Sequence, residues 1–319
     1  MSLAELQTHW ADNRVLNVQK DPSVTSYKVV EQVKKLLRIR RVGHAGSLDP
    51  FATGVLLLCT GRATKIARFL MELDKEYLGT IRLGAETETD DLSGKVLLSR
   101  QDFSVSIAEV EKATQVFIGR ILQHPPRVSA LKQRGRRLYD MARRGEDFET
   151  QAREITIYEF KLRAFRFPEL DFFVRCSRGT YVRALARDLG RKLGCGAHLS
   201  ALRRTRVGPF TSENSITMDR LREMANSPGS RPDLGGVLSM DEALIFLPAF
   251  TLRAGEEQGI LHGRSPSLSQ FEVLDTEVRP DENVRILSSQ GELLAIGKTP
   301  LPEAEQVIRL ERVLAVTDG

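Results

Sequence analysis

The chain has 319 residues, 41% of them hydrophobic and 28% charged, with a formal net charge of +5. That length and balance suit a globular protein of about two domains that can bury a large core. They argue against a membrane protein, because no apolar run approaches the roughly 18 residues a span needs. The first ten residues also lack the basic-then-apolar pattern of a secretory signal, so a cytoplasmic location is expected. The three cysteines, at 59, 176 and 195, have no C-x-x-C spacing and read as reduced thiols. The five histidines show no paired ligand spacing, and no metal is expected.

In chain order, residues 1–14 read as an irregular or helical arm. A short strand at 15–18 runs out at Gln19-Lys20-Asp21-Pro22. Ser26 is placed to cap a helix carrying Val29, Val30, Val33, Leu36 and Leu37 at helical spacing. The basic residues at 38–41 suit the negative pole of its dipole. A polar loop, Gly43-His44-Ala45-Gly46-Ser47, then leads through Leu48-Asp49-Pro50 to an apolar strand at 55–59. Asp49 thus stands on a connection, where a scaffold can hold a carboxylate rigidly and still expose it. Glycines at 43, 46, 54 and 61 allow positive φ or the close approach of another backbone. Taken alone, Asp49 reads as a turn residue or a cap more readily than as a catalyst.

Thr60-Gly61-Arg62 opens a helix predicted over 63–73, and residues 75–83 follow as a strand. Tyr77, Gly79, Ile81 and Leu83 share one face of that strand. Residues 84–93 are acidic and turn-like, 95–98 form a strand, and Ser106 caps an amphipathic helix with Ile107, Val110, Ala113, Val116 and Phe117. After a break at His124-Pro125-Pro126, residues 127–144 interleave basic side chains with Leu138 and Tyr139, a composition suited to phosphate contact and base stacking. Residues 155–165 and 172–176 alternate as paired strands. A helix then carries Val182, Leu185, Ala186, Leu189 and Leu193 on one stripe, closed by Gly194-Cys195-Gly196. Residues 199–210 continue into a strand, and 226–236 form a loop. Beyond Pro248, strands at 284–287, 293–297 and 307–316 describe a small all-β module of roughly 70 residues.

Charge is unevenly spread along this order. Seven Lys/Arg face one acid between residues 127 and 144, and nine face one acid between 175 and 206. These windows carry +6 and +8, so the remainder is net −9. Two dense basic windows on an otherwise acidic chain point to a polyanionic partner, nucleic acid first. The module from residue 245 onward is net −5 and is not by itself a strong phosphate-binding surface.

Four motifs carry more specific information. GHAGSLDPFATGVLLLCTGRATK at 43–65 resembles the defining motif of the TruB family of tRNA pseudouridine-55 synthases. KEY at 75–77 is similar to that family's second motif. RGTYVRALARDLG at 178–190, with GCGAHLSALRRTRVGPF at 194–210, resembles its third and fourth. PPRVSALKQRGRRLYDMARRG at 125–145 is similar to its RNA-gripping insertion, and the C-terminal module looks like a PUA domain. One string departs from the family: Gln19-Lys20-Asp21-Pro22-Ser23 stands where Asp-Lys-Pro-x-Gly is usual.

The resemblance implies an α+β fold: a central mixed, largely antiparallel β-sheet flanked by helices, over 1–244, with the insertion at about 124–150. A PUA-like β-rich domain would occupy 245–319. It implies isomerisation of uridine to pseudouridine at position 55 in the T loop of tRNA, by a cytoplasmic, stand-alone bacterial-type monomer needing no guide RNA. That reaction breaks the N-glycosidic bond, turns the uracil and rejoins it through C5. Nothing is oxidised and no group is carried away, so no cofactor or metal is expected. The resemblance puts Asp49 against the sugar or base. Such an Asp must be ionised, and an adjacent guanidinium favours that form. The resemblance supplies it as Arg183, whose planar fork suits a bidentate pair. It also sets Tyr77 along the base as a proton-moving group, Leu202 on the apolar wall, His44 beside the extruded nucleotide and Lys20 near the site. Arg127, Lys132, Arg136, Arg137 and Arg143 would grip RNA. The rival reading is an RNA chaperone that holds the tRNA elbow without chemistry. An aspartyl phosphotransferase is poorly supported, for the chain has no phosphate-cradling GKS/T signature.

Overall fold

The computed structural model describes residues 11–129, 131–133, 135–226, 235–274, 279–301 and 306–315. Its centre is an 11-stranded mixed sheet. Eight of its strands are labelled here in chain order: β1 (Val15–Lys20), β2 (Thr53–Thr60), β3 (Lys75–Leu83), β4 (Gly119–Gln123), β5 (Arg153–Arg166), β6 (Glu169–Cys176), β7 (Ala197–Val207) and β8 (Ile216–Thr217). Across the sheet they run β8-β1-β2-β7-β3-β6-β5-β4. The β1–β8 and β2–β7 pairs are parallel and the other pairs along this path antiparallel. The short strand Val42–His44 pairs with the far half of β2. β2 is apolar on both faces because both are covered, and residues 54–60 are all buried. β3 is covered on one face only, so Tyr77, Ile81 and Leu83 are buried while Leu78 and Arg82 are exposed.

Four longer helices flank the sheet: α1 (Ser26–Leu36), α2 (Ile107–Gln115), α3 (Val182–Lys192) and α4 (Met218–Asn226). Helices α2 and α3 cover the face bearing Tyr77, Ile81 and Leu83, through Val110, Leu185 and Leu189. Helices α1 and α4 pack on Leu16, Val18, Leu56 and Leu58. Ser106 caps α2 through a capping box with Glu109, as its sequence predicts. The cap of α1 is one residue earlier than expected: Thr25 accepts from Lys28 N, which frees Ser26 for another task. The helix expected over 63–73 is a 3₁₀ turn, Gly61–Lys65, followed by the short helix Ala67–Glu72. Gly61 is required at the start of that turn. It has φ +50°, and a Cβ there would lie 2.5 Å from Asn13 Oδ1.

The C-terminal part forms a five-stranded sheet in the order Phe271–Leu274, Ala249–Leu252, Asn283–Leu287, Leu293–Lys298, Arg309–Val313. The first two of these strands were not legible in the sequence. Ile296 and Leu314 of this part share one apolar cluster with Val15, Cys59, Ile66, Phe69 and Leu244. The two sheets therefore share a core. Buried Arg285 reinforces the junction, reaching Asp241 at 2.9 Å and the Leu247 carbonyl at 3.0 Å. The three cysteines are free and buried, and burial pushes the Cys59 and Cys176 thiols up to about 12. The expectations for residues 1–10, and most of the loop expected over 226–236, lie outside the described residues.

Candidate active site

Asp49 sits between Val42–His44 and β2, and three buried side chains fix the backbone around it. Ser26 Oγ accepts from Leu48 N at 2.8 Å, the task its release from capping allows. Lys20 Nζ donates to the carbonyls of Asp21, Pro50 and Ala52 at 2.9, 3.0 and 2.6 Å. Arg204 donates to the carbonyls of Val55, Ser47 and Gly46 at 2.7, 3.3 and 3.1 Å. The loop is therefore braced on both sides of residue 49. Gly54 is part of the brace. It has φ +100°, and a Cβ there would lie 2.1 Å from the Arg204 carbonyl, where β2 crosses β7. The close approach anticipated for this glycine is that of the protein's own backbone.

Arg183 projects from the first turn of α3. The start of that helix is pinned by Gln123, whose side-chain amide accepts from Tyr181 N at 2.8 Å and donates to Tyr181 O at 3.1 Å. Arg183 Nε and Nη2 meet Asp49 Oδ2 and Oδ1 at 2.9 and 3.1 Å, a bidentate fork. Its remaining donors reach the Thr89 carbonyl at 2.7 Å and the Val128 carbonyl at 3.2 Å, and Asp91 lies 3.6 Å away. The Arg183 side chain is 6% exposed and that of Asp49 32%. The cation is thus sequestered and fully partnered, while the carboxylate keeps an open side.

Tyr77 and Leu202 join this site through the sheet. Tyr77 pairs with Arg204, and Gly79 with Leu202, across β3 and β7. Both side chains lie in the same cluster as Leu48 and Ala52 from the Asp49 loop. Burial raises the Tyr77 pKa, opposed by the charge and hydrogen bond of Arg204. His44 ends the strand Val42–His44. Its Nδ1 is buried with no partner among the described residues, and burial lowers its pKa, helped by the Arg204 charge. Burial pushes Lys20 down to about 8, opposed by Asp49 and Asp21. In the departing string, Ser23 adopts φ +63°, so the left-handed backbone that a glycine would suit is kept without one.

Several residues that shape the site were not singled out from sequence. Arg204 is 2% exposed, and only its alternation with Leu202 along β7 hints that it faces inward. The acidic turn at 84–93 is more than a solvated loop. Asp90 pairs with Arg187 at 2.8 Å and is pushed by burial to about 6, with Arg187 opposing. Asp91 accepts from Thr89, Ser93 N and Ser93 Oγ. Much of the 175–206 basic window is consumed internally. Arg183, Arg187 and Arg204 are buried, Arg191 pairs with Glu86, Arg178 with Glu72 and Arg206 with Glu76.

In the insertion, Arg127 pairs with Asp147 and stacks on Phe148, and Arg136 pairs with Glu146, two acids just outside the counted window. Arg143 is exposed. The side chains of Lys132 and Arg137 lie outside the described ones; their backbones form a small hairpin. No group of three or more His, Cys, Asp or Glu that could hold a metal occurs among the described residues.

Comparison with known proteins gives this geometry a context. Residues 34–182 match the model of the TruB family pseudouridylate synthase N-terminal domain. Residues 183–244 match that of the tRNA pseudouridylate synthase B C-terminal domain. The chain is 43% identical over 287 residues to the tRNA pseudouridine synthase B of Geotalea uraniireducens, covering 89% of this chain and 91% of the relative. It is 41% identical over 297 residues to that of Syntrophobacter fumaroxidans, covering 93% and 96%. Among solved structures, it matches a chain of a Cbf5–Nop10–Gar1 complex with TM-score 0.79 at 26% identity, over 98% of this chain and 88% of that one. A chain of an H/ACA RNP bound to a substrate RNA containing 2'-deoxyuridine shares the fold, with TM-score 0.76 at 24% identity over 97% and 87%. The Asp49 loop, Tyr77 and Arg183 all fall within the matched segments, and the chain belongs to the TruB family of pseudouridylate synthases.

Proposed function

We propose that the chain isomerises uridine to pseudouridine at position 55 in the T loop of tRNA, with Asp49 as the reacting carboxylate. The observation that carries this is the bidentate pair of half-open Asp49 with buried Arg183, on the motif that defines the family. A fork bonded to both oxygens keeps the carboxylate aimed, which is what attack on a sugar or base demands. Arg183 acts on the reaction by positioning that carboxylate. Tyr77 lies along the uracil and moves the proton that leaves C5, and Leu202 supplies the apolar wall. His44 is neutral near pH 7, since its pKa is lowered, and fills the space beside the extruded nucleotide. Lys20 and Arg204 brace the loop from behind. Extruding a stacked base costs a few kcal/mol, which the RNA grip must offset.

On this reading residues 1–244 are the catalytic domain and about 124–150 the RNA-gripping insertion, through Arg127, Lys132, Arg136, Arg137 and Arg143. Residues 245–319 are a PUA-like module. The protein acts in the cytoplasm as a monomer without a guide RNA. Relatives at 41–43% identity over most of the chain are named tRNA pseudouridine synthase B, whereas the matches to H/ACA particles lie at 24–26%; the contrast supports tRNA as an unguided substrate. The test is pseudouridine mapping on a full-length tRNA transcript incubated with the purified protein alone. One new modification at position 55 is expected. No pseudouridine there, or pseudouridine only after a guide RNA is added, would overturn the reading.

A further inference from the structure

Helix α3 carries a second buried arginine that the isomerisation does not use. Arg187 stands one helical turn beyond Arg183 and is 8% exposed; Asp90, opposite it, is 7% exposed. Arg187 Nη1 donates to Asp90 Oδ2 at 2.8 Å, Nε to Asp188 Oδ1 at 2.8 Å and Nη2 to the His124 carbonyl at 2.9 Å. Arg183 reaches the same two stretches of chain, at the Thr89 carbonyl (2.7 Å) and the Val128 carbonyl (3.2 Å). Residues four apart on a helix share a face. The two guanidiniums are thus parallel rungs from α3, each joining the acidic turn to the segment that begins at His124. That segment also closes at His124, whose Nδ1 lies 2.8 Å from the Thr150 carbonyl.

The backbone of Asp90 gives the outer rung a task. Its φ is +60°, in the left-handed region that residues other than glycine enter at a cost, Asp and Asn more readily than the rest. That torsion turns the peptide plane between residues 89 and 90, and so aims the Thr89 carbonyl. This carbonyl takes the shortest hydrogen bond that Arg183 makes. The Asp90 carbonyl accepts from Leu199 N on β7 at 3.0 Å, and its N–H donates to the Thr87 carbonyl at 3.2 Å. Its carboxylate is the remaining handle, and Arg187 holds it. Release of that handle lets residue 90 relax and swings the Thr89 carbonyl off Arg183, so the fork on Asp49 loses a support. A shift of about 1 Å that starts far from the reacting atoms is enough to cost rate.

We infer that Arg187 is a positioning residue for the proposed isomerisation. Through Asp90 it holds the Thr89 carbonyl that anchors Arg183, and through His124 it ties the root of the 124–150 insertion to the same anchor. The inference rests on Asp49 being the reacting carboxylate. The test compares wild type with Arg187→Gln, Asp90→Asn and the double variant, each assayed below its melting temperature. Either single change strips a buried charge of its partner. The double variant removes both charges together and stands in wherever a single one unfolds. On saturating full-length tRNA each variant is expected to lower the single-turnover rate about ten-fold or more, with Kd for tRNA within about two-fold of wild type. The double variant should be about as slow as either single one, as residues acting in one unit are. A folded double variant at the wild-type rate would overturn the inference. So would a loss confined to Kd, or single losses that multiply in the double variant. A second readout needs no RNA: exchange of the Arg183 Nε proton with water, followed by NMR on protein carrying isotope-labelled arginine. It should quicken several-fold in the double variant, and unchanged exchange would overturn the inference. If wild type makes no pseudouridine, the proposed function fails instead, and the exchange rate still decides whether Arg187 positions Arg183.

Discussion

At Asp49 the proposed chemistry is a matter of how one carboxylate is held. Both oxygens are bonded to a single guanidinium, and that guanidinium is itself anchored on the Thr89 and Val128 carbonyls. An ammonium cannot reproduce a planar fork with this many partners. Arg183→Lys is therefore expected to lower the single-turnover rate at least about 100-fold, or roughly 2.7 kcal/mol of activation free energy, while tRNA binding changes little. A rate within about three-fold of wild type would show that the fork is dispensable. Lys20 offers a prediction in pH. Its pKa is about 8 in the folded chain and 10.5 when free, so between these values the unfolded chain holds a proton that the folded one has lost. Stability rises with pH wherever the unfolded state binds more protons. The cost of the buried charge is thus full below pH 8 and is relieved as pH climbs to 10.5. Measured by urea unfolding, the stability of wild type relative to Lys20→Met should improve by about 2–3 kcal/mol across that window. A flat difference would mean that Lys20 does not titrate there.

At the scale of elements, the site depends on where strands cross. Gly54→Ala would push a Cβ to 2.1 Å from the Arg204 carbonyl, forcing β2 and β7 apart under the Asp49 loop. A loss of at least about 3 kcal/mol in urea unfolding is expected, against less than about 0.5 kcal/mol for Gly43→Ala, whose Cβ would meet nothing closer than Thr64 Cγ2 at 3.9 Å. Comparable losses at the two glycines would contradict this. These elements were legible from sequence to different degrees. The bounds of β3, the α2 cap and the stripe of α3 follow from local periodicity and capping chemistry, which residues 75–83, Ser106 and 182–193 display in full. Motif resemblance singles out Asp49, Tyr77 and Arg183; the structure brings Arg183 against Asp49 and packs Tyr77 in the cluster that holds Leu48. The work of Arg204 and Ser26 was not legible, because it is long-range: Arg204 serves a loop about 150 positions earlier, and Ser26 one about 20 positions later. The basic window at 175–206 misled for the same reason. Linear charge density cannot say which arginines are buried against Asp49, Asp90 and backbone carbonyls.

Across the whole molecule, the C-terminal sheet is an extension of the core. Ile296 and Leu314 fill a cluster with Val15, Ile66, Phe69 and Leu244, and Arg285 buries its charge against Asp241. Such a shared core couples the two parts in unfolding. The full chain is expected to unfold in one transition, and a chain ending at 244 to melt at least several degrees lower or to aggregate through the uncovered apolar surface. Two separated transitions, or a truncated chain as stable as the whole, would show that the module is merely tethered.

The most direct test of the central claim joins these scales in one residue. Asp49→Asn keeps the size of the side chain and removes its charge. Wild type and variant are incubated with tRNA carrying tritium at C5 of uridine, and the release of tritium is followed alongside tRNA binding. The account predicts release by wild type, none by the variant, and binding retained by both. Release by the variant at the wild-type rate would contradict it, and the reacting carboxylate would have to be sought elsewhere.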